Sequence, residues 1–71
     1  MKARYEIKYD NGKWYIYFTV VKLAKRKRVN GIYNSVEHAE AVARKIQEKI
    51  NHPIYVYDTK NRLVKIIHEG V

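Results

Sequence analysis

The sequence predicts a small α+β domain: a two-layer βββαββ arrangement with a mainly antiparallel sheet and one helix packed on one face. Three observations lead there. Large apolar side chains recur with period two from Tyr5 to Val21. The period then becomes helical from Val36 to Ile50. Two more short strand patterns flank the turn residues Asp58-Thr59-Lys60-Asn61. A switch of hydrophobic period from two to 3.6 separates sheet from helix.

The first strand runs through Tyr5, Ile7 and Tyr9, which alternate with Arg4, Glu6 and Lys8. Asp10-Asn11-Gly12-Lys13 reads as a hairpin turn, because Asn-Gly tolerates the positive φ of tight hairpins. The second strand, from Trp14 to about Lys22, has two faces. Trp14, Ile16, Phe18 and Val20 form the bulkier, less polar one and are placed against the helix. Tyr15, Tyr17, Thr19 and Val21 then face outward. The basic run forms the next loop and the start of a third strand ending near Tyr33, with a bulge expected at Gly31.

Val36, Ala39, Ala43, Ile46 and Ile50 form one stripe of a helix that Asn34 or Ser35 caps. Glu40 and Arg44 are an i,i+4 pair. Asn51, in a left-handed conformation, and Pro53 end the helix. Ile54 to Tyr57 and Arg62 to His68 are the last two strands, with Asn61 the left-handed residue of their turn. A single apolar stripe covers one sheet face only, so the other face is left to solvent or a partner.

At 71 residues the chain makes one domain, residues 1–71, with a small core. It has no Cys, so neither a disulfide nor a thiolate metal site supplements that core. No apolar h-region follows Met1-Lys2-Ala3-Arg4, and the longest apolar-rich run, Trp14 to Val21, is far short of the roughly 20 residues a membrane span needs. The expected setting is cytoplasmic, without membrane contact.

Charge is the most uneven property. Residues 1–33 carry nine Lys and Arg against Glu6 and Asp10, a net of +7. Residues 34–71 carry six against five acids, a net of +1. Lys22, Lys25, Arg26, Lys27 and Arg28 are concentrated next to the strand bearing Tyr15 and Tyr17. A cation cluster beside an aromatic sheet face is a physical means of holding a polyanion.

Two family resemblances attach to these residues. Asn11-Gly12-Lys13-Trp14-Tyr15, a strand, a Lys/Arg loop, a second strand ending Gly31-Ile32-Tyr33, then Ser35 and Ala39 opening a helix, resembles the arm-type N-terminal DNA-binding domain of phage tyrosine integrases. The likeness spans residues from about 5 to 50. It implies a three-stranded sheet lying in the major groove with the helix behind it; the final hairpin, 54–68, is outside that pattern. Over the whole chain, the order of strand, Gly-x-Trp strand, strand, capped Ala-rich helix and hairpin is similar to a family of short bacterial proteins, domain of unknown function 2188. Val36 and His38 stand where that family usually has Lys and Glu. That resemblance implies no activity.

The expected function is a nucleic-acid-binding module, with duplex DNA the expected partner. Lys22, Lys25, Arg26, Lys27 and Arg28 contact phosphates. Arg26, Arg28 and Asn30 project from one strand face toward base edges, and Tyr15 and Tyr17 offer ring faces to single-stranded bases. Two other readings stand beside this one. The Lys/Arg run is also what a solvated, solubilising loop looks like. Val21 and Leu23, taken on the same face as the tyrosines, are also what a homodimer contact through the open face looks like.

Catalysis is not expected. His38, His52 and His68 are scattered, with no Cys and no paired carboxylates, so no metal site is expected. Ser35 is explained as a cap, and Gly12, Gly31 and Gly70 are isolated rather than a phosphate-cradling loop. No cofactor is implied.

Overall fold

A computed structural model describes residues 2–69, apart from the side chain of Asn30. Strands β1 (Ala3–Asp10), β2 (Lys13–Val20) and β3 (Lys25–Tyr33) precede helix α1 (Val36–Lys49), and β4 (Ile54–Tyr57) and β5 (Leu63–Ile67) follow it. The predicted α+β class and the βββαββ order both hold. The five strands form one sheet in the spatial order β3-β2-β1-β4-β5. Neighbouring strands are antiparallel except β1 and β4, which run parallel with Tyr5 beside Ile54 and Ile7 beside Val56. The helix carries the chain from the β3 edge back to the middle of the sheet, which a parallel pairing requires.

The turns form where the sequence places them, with one exception at each long connection. Asn11 and Gly12 have φ of 47° and 86°, so the β1–β2 hairpin closes tightly. Asn61 is left-handed at φ 62°. Asp58 accepts hydrogen bonds from the Lys60 and Arg62 backbone N–H groups at 2.8 and 2.9 Å and pairs with Arg62 Nε at 3.1 Å. These donors hold its carboxyl below the usual carboxylate range, the Arg62 N–H most of all. Asn51, in contrast, is not left-handed: α1 ends at Ile50, an extended residue at φ −126° whose N–H bonds Ile46 O. Between β2 and β3 the chain makes a single 3₁₀ turn, Val21–Leu23, closed by Ala24 at φ 52°. Val21 and Leu23 therefore leave the sheet and do not continue the tyrosine face.

Ser35 caps α1, its Oγ accepting from His38 N at 3.2 Å. Glu40 accepts from Arg44 at 3.3 Å and from Lys65 at 2.9 Å, tying the helix to β5. The Lys65 hydrogen bond is the main reason that its pKa lies below the ordinary 4.5. Gln47 adds a second tie, donating to His52 O at 3.0 Å and His68 O at 3.2 Å. The core lies between these layers. Tyr5, Ile7, Trp14, Ile16, Tyr33, Ile54 and Val56 from the sheet meet Ala39 and Ala43 of the helix, with Phe18 and Ile46 beside them. Small helix residues let the large sheet side chains approach closely.

The bulge expected at Gly31 is present. Ile16 pairs with Val29, yet Trp14 pairs with Tyr33, so β3 carries two more residues than β2 across this step. Gly31 sits at φ 123°, and a Cβ there would strike the Tyr33 phenol ring. Both the left-handed backbone and the ring exclude a side chain. Gly31→Ala is therefore expected to lower stability by about 1–3 kcal/mol, with a matching drop in the thermal midpoint. An unchanged melt would show that the bulge relaxes at no cost.

Candidate nucleic-acid interface

Strand alternation sorts the basic run onto two sides of the sheet. Lys25, Arg26, Lys27 and Arg28 are strand residues of β3, not a loop, and only Lys22 lies in the connecting turn. Arg26 and Arg28 lie opposite Thr19 and Tyr17 on the face away from the helix. Lys25 and Lys27 lie opposite Val20 and Phe18 on the other face and line a shallow groove with them. The expected five-cation cluster is thus divided. Arg26 and Arg28 stay with Tyr15 and Tyr17; Lys22, Lys25 and Lys27 do not join them. Asn30 is a backbone member of β3, but its side chain lies outside the described residues.

The open face gains residues that the local sequence pattern does not single out. Arg4, Glu6 and Lys8 of β1 share it, as do Tyr55 and Tyr57, because β4 pairs beside β1. Each cation sits over a tyrosine ring. Arg4 lies 4.4 Å from the Tyr55 centroid and Lys8 4.4 Å from that of Tyr57. Arg26 lies 5.5 Å from Tyr17 and Arg28 5.3 Å from Tyr15. All four distances fall within the reach of cation–π attraction. The signal for these partners was the i,i+2 spacing of Arg4, Glu6 and Lys8 and of Tyr55 and Tyr57. Only the pairing of β4 with β1 brings the two sets together.

Glu6 is the anchor of this layer. It is 1% exposed although it stands on the face without a helix. Its Oε2 accepts from Arg4 Nε at 2.9 Å, and its Oε1 accepts from Thr19 Oγ1 at 3.0 Å and faces Arg26 Nη2 at 3.1 Å. The neighbouring Tyr17 and Tyr55 flank it in register on β2 and β4. A buried carboxylate persists only when it is paired and hydrogen-bonded. Burial works against the charge of Arg4, but the Glu6 hydrogen bond and charge outweigh it and raise the Arg4 pKa. The Tyr57 phenol is pushed up, first by burial and then by the Glu6 carboxylate. Thr19 faces outward as the alternation predicts, and on that face it is buried against Glu6.

The four cations and Glu6 leave this layer with a net charge of +3. Arg4 and Arg26 are held from two sides, by a ring and by the Glu6 carboxylate, and Arg28 by the Tyr15 ring. Such a surface offers fixed donors to an anionic oxygen array. Among the described residues no group of His, Asp and Glu gathers as a metal site, and no helix is long and apolar enough to cross a membrane. No protein-family model matches the chain, and neither does any curated protein or solved structure.

Proposed function

We propose that the chain is a non-catalytic nucleic-acid-binding module that grips duplex DNA through the open face of its sheet, in a cytoplasmic setting. The observation that carries this reading is the cation-on-tyrosine layer, in which Arg4, Lys8, Arg26 and Arg28 are displayed together on one face. Phosphate contact by such cations releases counterions and supplies most of the affinity. Duplex is favoured over single strands by the same geometry. Cations already occupy the tyrosine ring faces, so a stacking base must displace them, whereas a phosphate meets them where they stand.

Dimensions favour one end of the sheet. Strands lie about 4.8 Å apart, so β3, β2 and β1 span about 10 Å, within the roughly 12 Å width of a major groove. All five strands span about 19 Å and do not fit. The β3 edge therefore leads, with Arg26 and Arg28 toward the groove and Arg4 and Lys8 nearer the phosphates at its rim. Face-to-face self-association is disfavoured here, because it sets four cations against four.

A charge-matched comparison tests this. Lys8→Gln with Arg28→Gln removes two cations from the face without touching Glu6. Lys25→Gln with Lys27→Gln removes two from the opposite side. With about four phosphates contacted, log K for a 20-bp duplex should fall against log salt with a slope of about −4. The first pair should cost at least about tenfold in affinity and reduce that slope by about 2; the second should change little. Equal losses from both pairs, or no duplex binding by the parent at low salt, would refute the reading. Tighter binding to a single strand or to RNA would replace duplex DNA as the target.

A further inference from the structure

We propose that the chain self-associates through its β5 edge, a second copy adding its own β5 antiparallel to the first. The sheet has two edges, β3 and β5, and they differ in how they meet another strand. The β3 edge carries Lys25, Arg26, Lys27 and Arg28 and is broken by the bulge at Gly31. Charge keeps an edge from pairing with another chain. A bulge also disfavours it, but β5 has one as well, at Val64 between the pairs of Val56 with Lys65 and Tyr57 with Leu63, so charge is what sets the two edges apart. The β5 edge is Leu63-Val64-Lys65-Ile66-Ile67. Its one charge, Lys65, is already paired with Glu40 at 2.9 Å. Leu63 and Val64 are 46% and 59% exposed, and nothing among the described residues pairs with the outer side of this strand.

The charge distribution selects a second copy as the occupant. The chain carries +8 overall, so copies repel, but +7 of that lies in residues 1–33 and only +1 in residues 34–71. Joining β5 to β5 brings together the near-neutral halves and keeps the β3 edges far apart. A strand paired antiparallel with its own copy is also self-complementary, since every contact occurs twice about a two-fold axis. A five-residue edge is short, and the area it buries falls below the roughly 1,200 Å² of a stable interface. The dimer is accordingly weak, and its charge repulsion is screened by salt.

The dimer is independent of the nucleic-acid reading. Sheet twist of about 20–25° per strand, over the seven strand steps from one β2 to the other, turns the two basic faces roughly 150° apart. One short duplex therefore meets a single face.

Sedimentation equilibrium from about 10 μM to about 1 mM, at low and at about 0.5 M salt, reads the outcome. The average mass should rise from 8.5 kDa toward twice that value, and more so at high salt. Leu63→Lys with Val64→Lys should hold the chain monomeric while its circular dichroism and its affinity for a 12-bp duplex stay unchanged. Val64→Lys alone, at the more exposed position, gives the same reading should the double variant unfold. Lys25→Gln with Lys27→Gln, on the other edge, should self-associate as the parent does. A parent that stays at 8.5 kDa throughout, or a Val64→Lys chain that associates as strongly as the parent, would overturn the proposal. So would monomerisation by the β3-edge pair.

Discussion

Replacing Trp14 by alanine is expected to cost about 3–5 kcal/mol, most of the stability of a domain this small. The indole is 9% exposed and belongs to the cluster that joins Ile16 and Tyr33 of the sheet to Ala39 and Ala43 of the helix. It also makes an edge-on contact with Tyr9, with ring centroids 5.2 Å apart. Ala39 and Ala43 are fully buried and have no longer side chain with which to fill the space left behind. The cavity therefore stays, and its cost adds to the lost transfer energy. Urea unfolding monitored by far-UV circular dichroism measures the loss. Since Trp14 is the one tryptophan of the chain, its native emission offers a second check. A maximum typical of a wholly exposed indole, or an alanine variant within about 1 kcal/mol of the parent, would contradict the assigned face.

Glu6→Gln is expected to move stability and binding in opposite directions. The substitution keeps the shape but removes the charge that Arg4 and Arg26 face at 2.9 and 3.1 Å. Loss of these charge-assisted hydrogen bonds should lower stability by about 1–3 kcal/mol, less than for a wholly buried pair because both guanidiniums reach solvent. The face then gains one unit of positive charge and two freed guanidiniums, so duplex affinity should rise by severalfold at low salt with a steeper salt dependence. Thermal melts and anisotropy titrations of the same sample decide it. If affinity falls together with stability, Glu6 acts by orienting the arginines more than by restraining their charge. For the same reason Arg26→Glu is an unsuitable charge reversal: it places a second carboxylate against buried Glu6 and tests the fold along with the site.

The candidate site was half legible in the sequence. Period-two alternation from Trp14 to Val20 put Tyr15 and Tyr17 on the outer face correctly, because strand parity depends only on counting. The same counting put Arg26 and Arg28 together on one strand face. Where the loop ends and β3 begins is not legible, because clustered Lys and Arg resemble solvated connections and nothing marks Ala24 as the left-handed end of a turn. Arg4, Lys8, Tyr55 and Tyr57 were not legible as site residues. They are 47 or more positions apart between the two strands, and parallel pairing leaves no turn signal behind it. Glu6 escaped for a related reason: a lone acid on an alternating strand reads as a solvated residue until its neighbours on both sides are known.

What the sequence determined by itself is everything governed by near neighbours along the chain. That includes the order βββαββ, the Asn11-Gly12 and Asn61 turns, a cap at Asn34 or Ser35, of which the structure selects Ser35, the Gly31 bulge and the choice of Trp14, Ile16 and Phe18 for the inner face. Each follows from backbone sterics, side-chain periodicity or a hydrogen bond spanning a few residues. Only the tertiary structure decided that β4 lies parallel beside β1, that four cations rest on four tyrosines, and that a carboxylate is buried between them. Those outcomes depend on which distant strands become neighbours. That choice is set by how the single apolar stripe of α1 is best covered by the whole sheet, not by any local stretch of residues.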